Sequence, residues 1–172
     1  MTHLPKNPYC PACRNGKARE KYSRKGAFKR ELSKWGHLVT CDIIQPARTE
    51  VGTQKEKYAL CVYGAWSGFV QCYGLRRKTA ESVIKRIQQF AGDRTITEVH
   101  CDGAKEFETA LEDLKIRMSK SQPGVHRSNA IIERKNQDVE MGTAETLSQA
   151  GLPSRYWPYA APVFCHHLNC SG

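Results

Sequence analysis

The sequence predicts an α/β fold: a five-stranded mixed sheet, three antiparallel strands followed by βα units, with helices on both faces. Two observations carry this. Three β-branched and aromatic runs between residues 37 and 75 are joined by short connections, as in an antiparallel meander. After them strand and helix patterns alternate, which builds parallel strands linked by crossover helices.

Each element has its own signal. "HLVTCDII" (37–44) reads as a buried strand, rich in Leu, Val and Ile and closed by Pro46. A loop follows. "KYALCVYGAW" (57–66) is a second strand, Ser67–Gly68 a tight turn and "FVQCYGL" (69–75) a third strand. Thr79 is placed to cap a helix in which Val83, Ile84, Ile87, Phe90 and Ala91 share one face, and Gly92 ends it. "TITEVHC" (95–101) is a fourth strand, ending at Asp102–Gly103. "AKEFETALEDL" (104–114) is a second helix with Phe107, Leu111 and Leu114 inward, and "KIRMS" (115–119) a short fifth strand. Pro123 and Gly124 mark a loop. A long helix runs from about Ser128 to Gln149 and stops at "AGLP". The last segment, "SRYWPYAAPVFCHHLN", is helical, and Pro162 is expected to kink it. Trp35 and His37 are expected to pack against the start of the first strand, and His166–His167 to lie on a helix surface.

The chain divides into a basic N-terminal segment with linker character, 1–36, and a core, 37–172. Its 172 residues are 40% hydrophobic, enough for one packed domain and a small appendage. Net charge is +10, and residues 1–36 hold ten Lys or Arg against two acids. A basic arm on a near-neutral domain points to a polyanionic partner, most simply nucleic acid; the plainer reading is a solubilising tail. No run approaches eighteen apolar residues and no signal-peptide core opens the chain, so membrane and secretory classes are set aside. The eight cysteines then read as reduced thiols.

Three carboxylates stand out. Asp42 lies between Cys41 and Ile43 in the first strand, where a charge is costly unless it is paired or binds metal. The bland alternative is an acid on a solvated strand face. Asp102 sits at the carboxyl end of the fourth strand, where open α/β sheets collect ligands, although "DG" is also a turn former. Glu133 lies about a turn into the long helix, beside Arg134 and Lys135; a mixed solvated face would look the same. Asp42 and Asp102 become neighbours if strand four pairs with the free edge of strand one. Three carboxylates at one point repel unless cations hold them, and hard oxygen donors suit Mg²⁺ or Mn²⁺. Two such ions, about 3.5–4 Å apart, serve displacement at phosphorus. His100, next to Cys101, reaches that point if strand four is regular.

Asp42, "HCDGAKEF" (100–107), "PGVHRSNAIIERKNQ" (123–137) and "AGLPSRYWPYA" (150–160) together resemble the integrase catalytic core of copia-type retrotransposons. That core belongs to the retroviral integrase superfamily, with an RNase H-like fold. The resemblance covers roughly residues 37–170. It implies that Asp42, Asp102 and Glu133 are the catalytic carboxylates and the ligands of two Mg²⁺ or Mn²⁺ ions. It implies that Asn129 and the loop before it approach DNA, with Lys120, Arg127, Arg134 and Lys135 on backbone phosphates rather than in ion pairs. Such an enzyme trims the 3′ ends of an element's DNA and joins them to target DNA. It acts as a homo-oligomer, inside the cell, in a nuclear or cytoplasmic retroelement particle.

The departures are specific. Thirty residues separate Asp102 from Glu133, a shorter span than in retroviral members. "GAWS" (64–67) lacks the strand-two Asp common in the family, which is not one of the three ligands. The family carries a two-His, two-Cys zinc module before the core; here His3, Cys10 and Cys13 supply three donors where a structural zinc site takes four. The core is expected to be truncated at its C-terminus. Two other readings stand beside the integrase: a nucleic-acid-binding remnant without catalysis, and an RNase H-class nuclease.

Overall fold

The computed structural model describes residues 31–45, 51–120 and 130–171. His3, Cys10, Cys13, Arg127 and Asn129 lie outside these.

β-Branched and apolar residues line both faces of the central strands, so the sheet is covered on both sides. Strand β1 (Val39–Ile44) pairs antiparallel with β2 (Tyr58–Gly64), and β2 with β3 (Val70–Leu75). Gly68, at φ +72, supplies the left-handed step between β2 and β3 that a Cβ would resist. Beyond helix α1 (Ala80–Ala91), β4 (Glu98–Cys101) pairs parallel with β1 on its free edge. Helix α2 (Lys105–Asp113) follows, and β5 (Arg117–Lys120) pairs parallel with β4. The strand order is β3-β2-β1-β4-β5, as the meander requires.

One face of β1, through Val39 and Cys41, packs with Val83, Ile87 and Phe90 of α1 and Phe107 and Leu111 of α2. The other face of the sheet, through Ala59, Cys61, Val70 and Cys72, lies under helices α3 (Ala130–Ala150) and α4 (Trp157–Cys170). Thr79 caps α1, its hydroxyl accepting the Ser82 N–H at 3.3 Å. Trp35 stacks on Phe90 with ring centroids 5.9 Å apart, and His37 Nδ1 accepts the Ser33 N–H at 3.3 Å.

Two elements differ from the pattern-based expectation. β5 begins at Arg117 rather than Lys115, because Lys115 turns into the left-handed region (φ 53) and the Ile116 N–H bonds back to Leu111, closing α2. Helix α4 runs unbroken through Pro162, with Pro158 in its first turn. Gly142 lets α3 meet α4: a Cβ there would stand 2.0 Å from the Phe164 ring. No helix among the described residues is long and apolar enough to cross a membrane. The described cysteines are free thiols, and all but Cys170 are buried.

Candidate active site

The parallel ladder between β1 and β4 places the first two carboxylates. Val39 pairs with Val99 and Thr40 with His100. Two residues further along each chain lie Asp42 and Asp102. By strand alternation Asp42 shares its face with Thr40, and that is the face α3 covers. The solvated-face alternative for Asp42 therefore fails. Asp42 is half-buried, and the Asn136 side-chain amide of α3 donates to its Oδ2 at 2.8 Å.

Helix α3 carries the third. Ile132 is fully buried against the sheet, and Glu133 follows it in the first turn, exposed. The charges of Asp102 and Glu133 both reach Asp42. Burial pushes the Asp42 carboxyl above the usual carboxylate range, and the negative charge of Asp102 adds to the push. Hydrogen bonds from Asn136 and the Ile43 backbone pull the other way, and Glu133 raises it further. This is a site short of positive charge. A hard cation is the complement its donors call for.

The side chains do not close on one point as they stand. Among the described residues no three His, Cys, Asp or Glu gather closely enough to hold a metal ion. Asp42 is drawn toward α3 by Asn136. Asp102 is exposed, and its Oδ1 accepts the Ala104 N–H at 3.4 Å in the turn before α2. The donor chemistry fits Mg²⁺ or Mn²⁺, and holding one requires the carboxylates to swing together.

The cations around the centre have partners. Arg134 Nε lies 3.4 Å, and Lys135 Nζ 3.3 Å, from the Asp138 carboxylate. Lys135 also sits 5.6 Å from the centroid of the Tyr63 ring. This corrects the expectation that the two stand clear of ion pairs: a carboxylate one helical turn on is close to both. Lys120 pairs with Glu108 and stands beside Gly103 at the end of β5. His100 Nδ1 is 3.1 Å from Ser119 Oγ, on the strand that flanks β4. His166 and His167 are exposed on α4, as expected.

Asn136 is the residue that pattern reading passed over. It belongs to the buried stripe of α3 with Ile132, Val139, Thr143 and Leu147, at 6% exposure. An amide in an otherwise apolar helical stripe, three residues after Glu133, is the signal that could have found it.

Compared with solved structures, the chain is similar to the catalytic core domain of BIV integrase, with a TM-score of 0.58 and 20% identity. The match covers 77% of this chain and 83% of that one. No protein-family model and no curated protein matches the sequence. The likeness shows the fold: this is the RNase H-like fold of an integrase catalytic core.

Proposed function

We propose that the chain is the catalytic core of a retroelement integrase, a metal-dependent polynucleotidyl transferase that processes DNA 3′ ends and joins them to target DNA. One observation carries the reading: in an integrase-core fold, β1 and β4 run parallel in a register that brings Asp42 and Asp102 side by side, with Glu133 acting on Asp42 from α3. The assignment to the copia type rests on the residue pattern at 123–137 and 150–160. Held by Asp42, Asp102 and Glu133, one or two Mg²⁺ or Mn²⁺ ions would supply the positive charge that in-line displacement at phosphorus needs on its attacking and leaving oxygens.

The protein's own part is positioning. Asp42 and Asp102 are fixed by the sheet, and Glu133 is carried by a helix anchored at Ile132. Lys120, Arg134 and Lys135 surround this point, where phosphate contacts would orient DNA without reading its sequence. Arg127, Asn129 and the basic segment 1–36 would add contacts and salt-sensitive affinity. DNA ends and target DNA are the partners, a homo-oligomer the working unit and an intracellular retroelement particle the setting. Zinc at His3, Cys10 and Cys13 would be weak for want of a fourth ligand.

A second reading, a nucleic-acid-binding protein without catalysis, draws on the open arrangement of the carboxylates. A Mn²⁺ reaction with labelled DNA ends separates the possibilities. Joined product supports the integrase, cleavage without joining an RNase H-class nuclease, and binding alone the non-catalytic protein. Glu133→Gln is expected to cut joining by about a thousandfold or more, the scale of losing a catalytic group. Undiminished joining would remove Glu133 from the site.

A further inference from the structure

We infer that Asn136 is a positioning residue for this centre, holding the Asp42 carboxylate in the orientation from which it binds a divalent cation; the inference rests on the active-site reading above. Two independent features carry it. The first is the 2.8 Å hydrogen bond from Asn136 Nδ2 to Asp42 Oδ2, made across 94 residues of sequence between α3 and β1. It ties the helix that carries Glu133 to the strand that carries Asp42. The second is what the same amide leaves undone. Asn136 Oδ1 is buried and has no hydrogen-bond partner, and Thr40 Oγ1, on the same face of β1 as Asp42, is in the same condition.

A buried polar atom without a partner is costly, and structural amides are ordinarily satisfied at both ends. The neighbouring stripe positions are Ile132 and Val139, both buried, so an aliphatic residue at 136 would pack the helix with no such cost. The fold has no use for an amide here except the bond to Asp42. The residue type is also the right one for a site that takes a cation. An amide donor is neutral, so it fixes the carboxylate without opposing the cation's charge, as a Lys or Arg in its place would. It binds one carboxylate oxygen through one N–H.

This assigns Asn136 a role distinct from those of Asp42, Asp102 and Glu133. It touches a ligand-bearing side chain and not the cation or DNA. Its removal acts through Asp42, and the expected size is that of losing a partner that orients a metal ligand, about 10–100-fold in metal affinity.

The test uses the full chain with Mn²⁺ alone as the probe, following the rise of melting temperature with Mn²⁺ concentration. Wild type is compared with Asn136→Ala, Asn136→Leu and Asp102→Asn. Without Mn²⁺, Asn136→Ala is expected to melt within a few degrees of wild type, because the unpaired oxygen goes with the donor. With Mn²⁺, both Asn136 variants are expected to need about 10–100 times more ion for the same rise. Asn136→Leu fills the stripe and keeps the test open if the alanine variant loosens the helix. A Mn²⁺ dependence within about twofold of wild type in either folded variant would overturn the positioning role, as would a large loss of melting temperature with the Mn²⁺ dependence unmoved. If wild type and Asp102→Asn alike show no response to Mn²⁺, the metal-site reading itself falls and takes this inference with it.

Discussion

Asp42 carries its charge in surroundings that disfavour it. Burial and the charges of Asp102 and Glu133 raise its carboxyl above the usual range. A raised acid favours the folded state most when protonated, below the unfolded value of about 3.9, and that contribution is lost as pH rises through the folded value. Asp42→Asn is therefore expected to raise the melting temperature by a few degrees at pH 7, on the order of 0.5–2 kcal/mol. The gain should vanish near pH 3, and divalent-dependent DNA joining should be lost at every pH. A scan at the two pH values checks it; an unchanged or lowered melting temperature at pH 7 would show that the repulsion is already relieved. At this scale the sequence was legible where chemistry is rare. An acid between Cys41 and Ile43 is unusual enough to notice. Asn136 was not noticed, because its meaning depends on a strand 94 positions away. The partners of Arg134 and Lys135 were missed for a smaller reason: Asp138 sits one turn along the same helix, where spacing alone would have shown it.

The elements were legible because each has a period and a stop signal. Thr79 and Gly92 bracket α1 as their chemistry requires. Thr79→Ala is expected to cost about 1 kcal/mol in chemical denaturation, the value of an N-cap. Boundaries set by a single backbone step were less legible, as the left-handed Lys115 shows by delaying β5. Nor does a pattern tell how closely two helices approach. Gly142 reads as a weak point in α3, yet it is where the Phe164 ring fits. Gly142→Val is expected to destabilise by about 1–3 kcal/mol through overpacking. Combined with Phe164→Ala, the valine should cost much less, and a double-mutant cycle measures the difference. Strict additivity would mean that the two helices do not depend on this packing.

Across the whole molecule, sheet order could be inferred from two facts: a meander leaves β1 with a free edge, and βα units fill it with a parallel strand. That order brings Asp42 beside Asp102, so the topology and the candidate site come from the same pairing. The charge distribution makes a separate prediction. Residues 1–36 hold most of the +10 net charge. Their removal is expected to weaken DNA binding and flatten the slope of log affinity against log salt, by about 0.9 for each phosphate that the segment neutralises. An unchanged slope would place DNA binding on the core alone. What the sequence could not show is how far the carboxylates stand apart without a cation, since side-chain hydrogen bonds such as those of Asn136 and Ala104 decide it. The most direct measurement is an anomalous-scattering map from crystals grown with Mn²⁺. A peak about 2.0–2.2 Å from carboxylate oxygens of both Asp42 and Asp102, with Glu133 turned toward it, is the predicted result. Density for Mn²⁺ elsewhere, or none at these residues at saturating ion, would contradict the account.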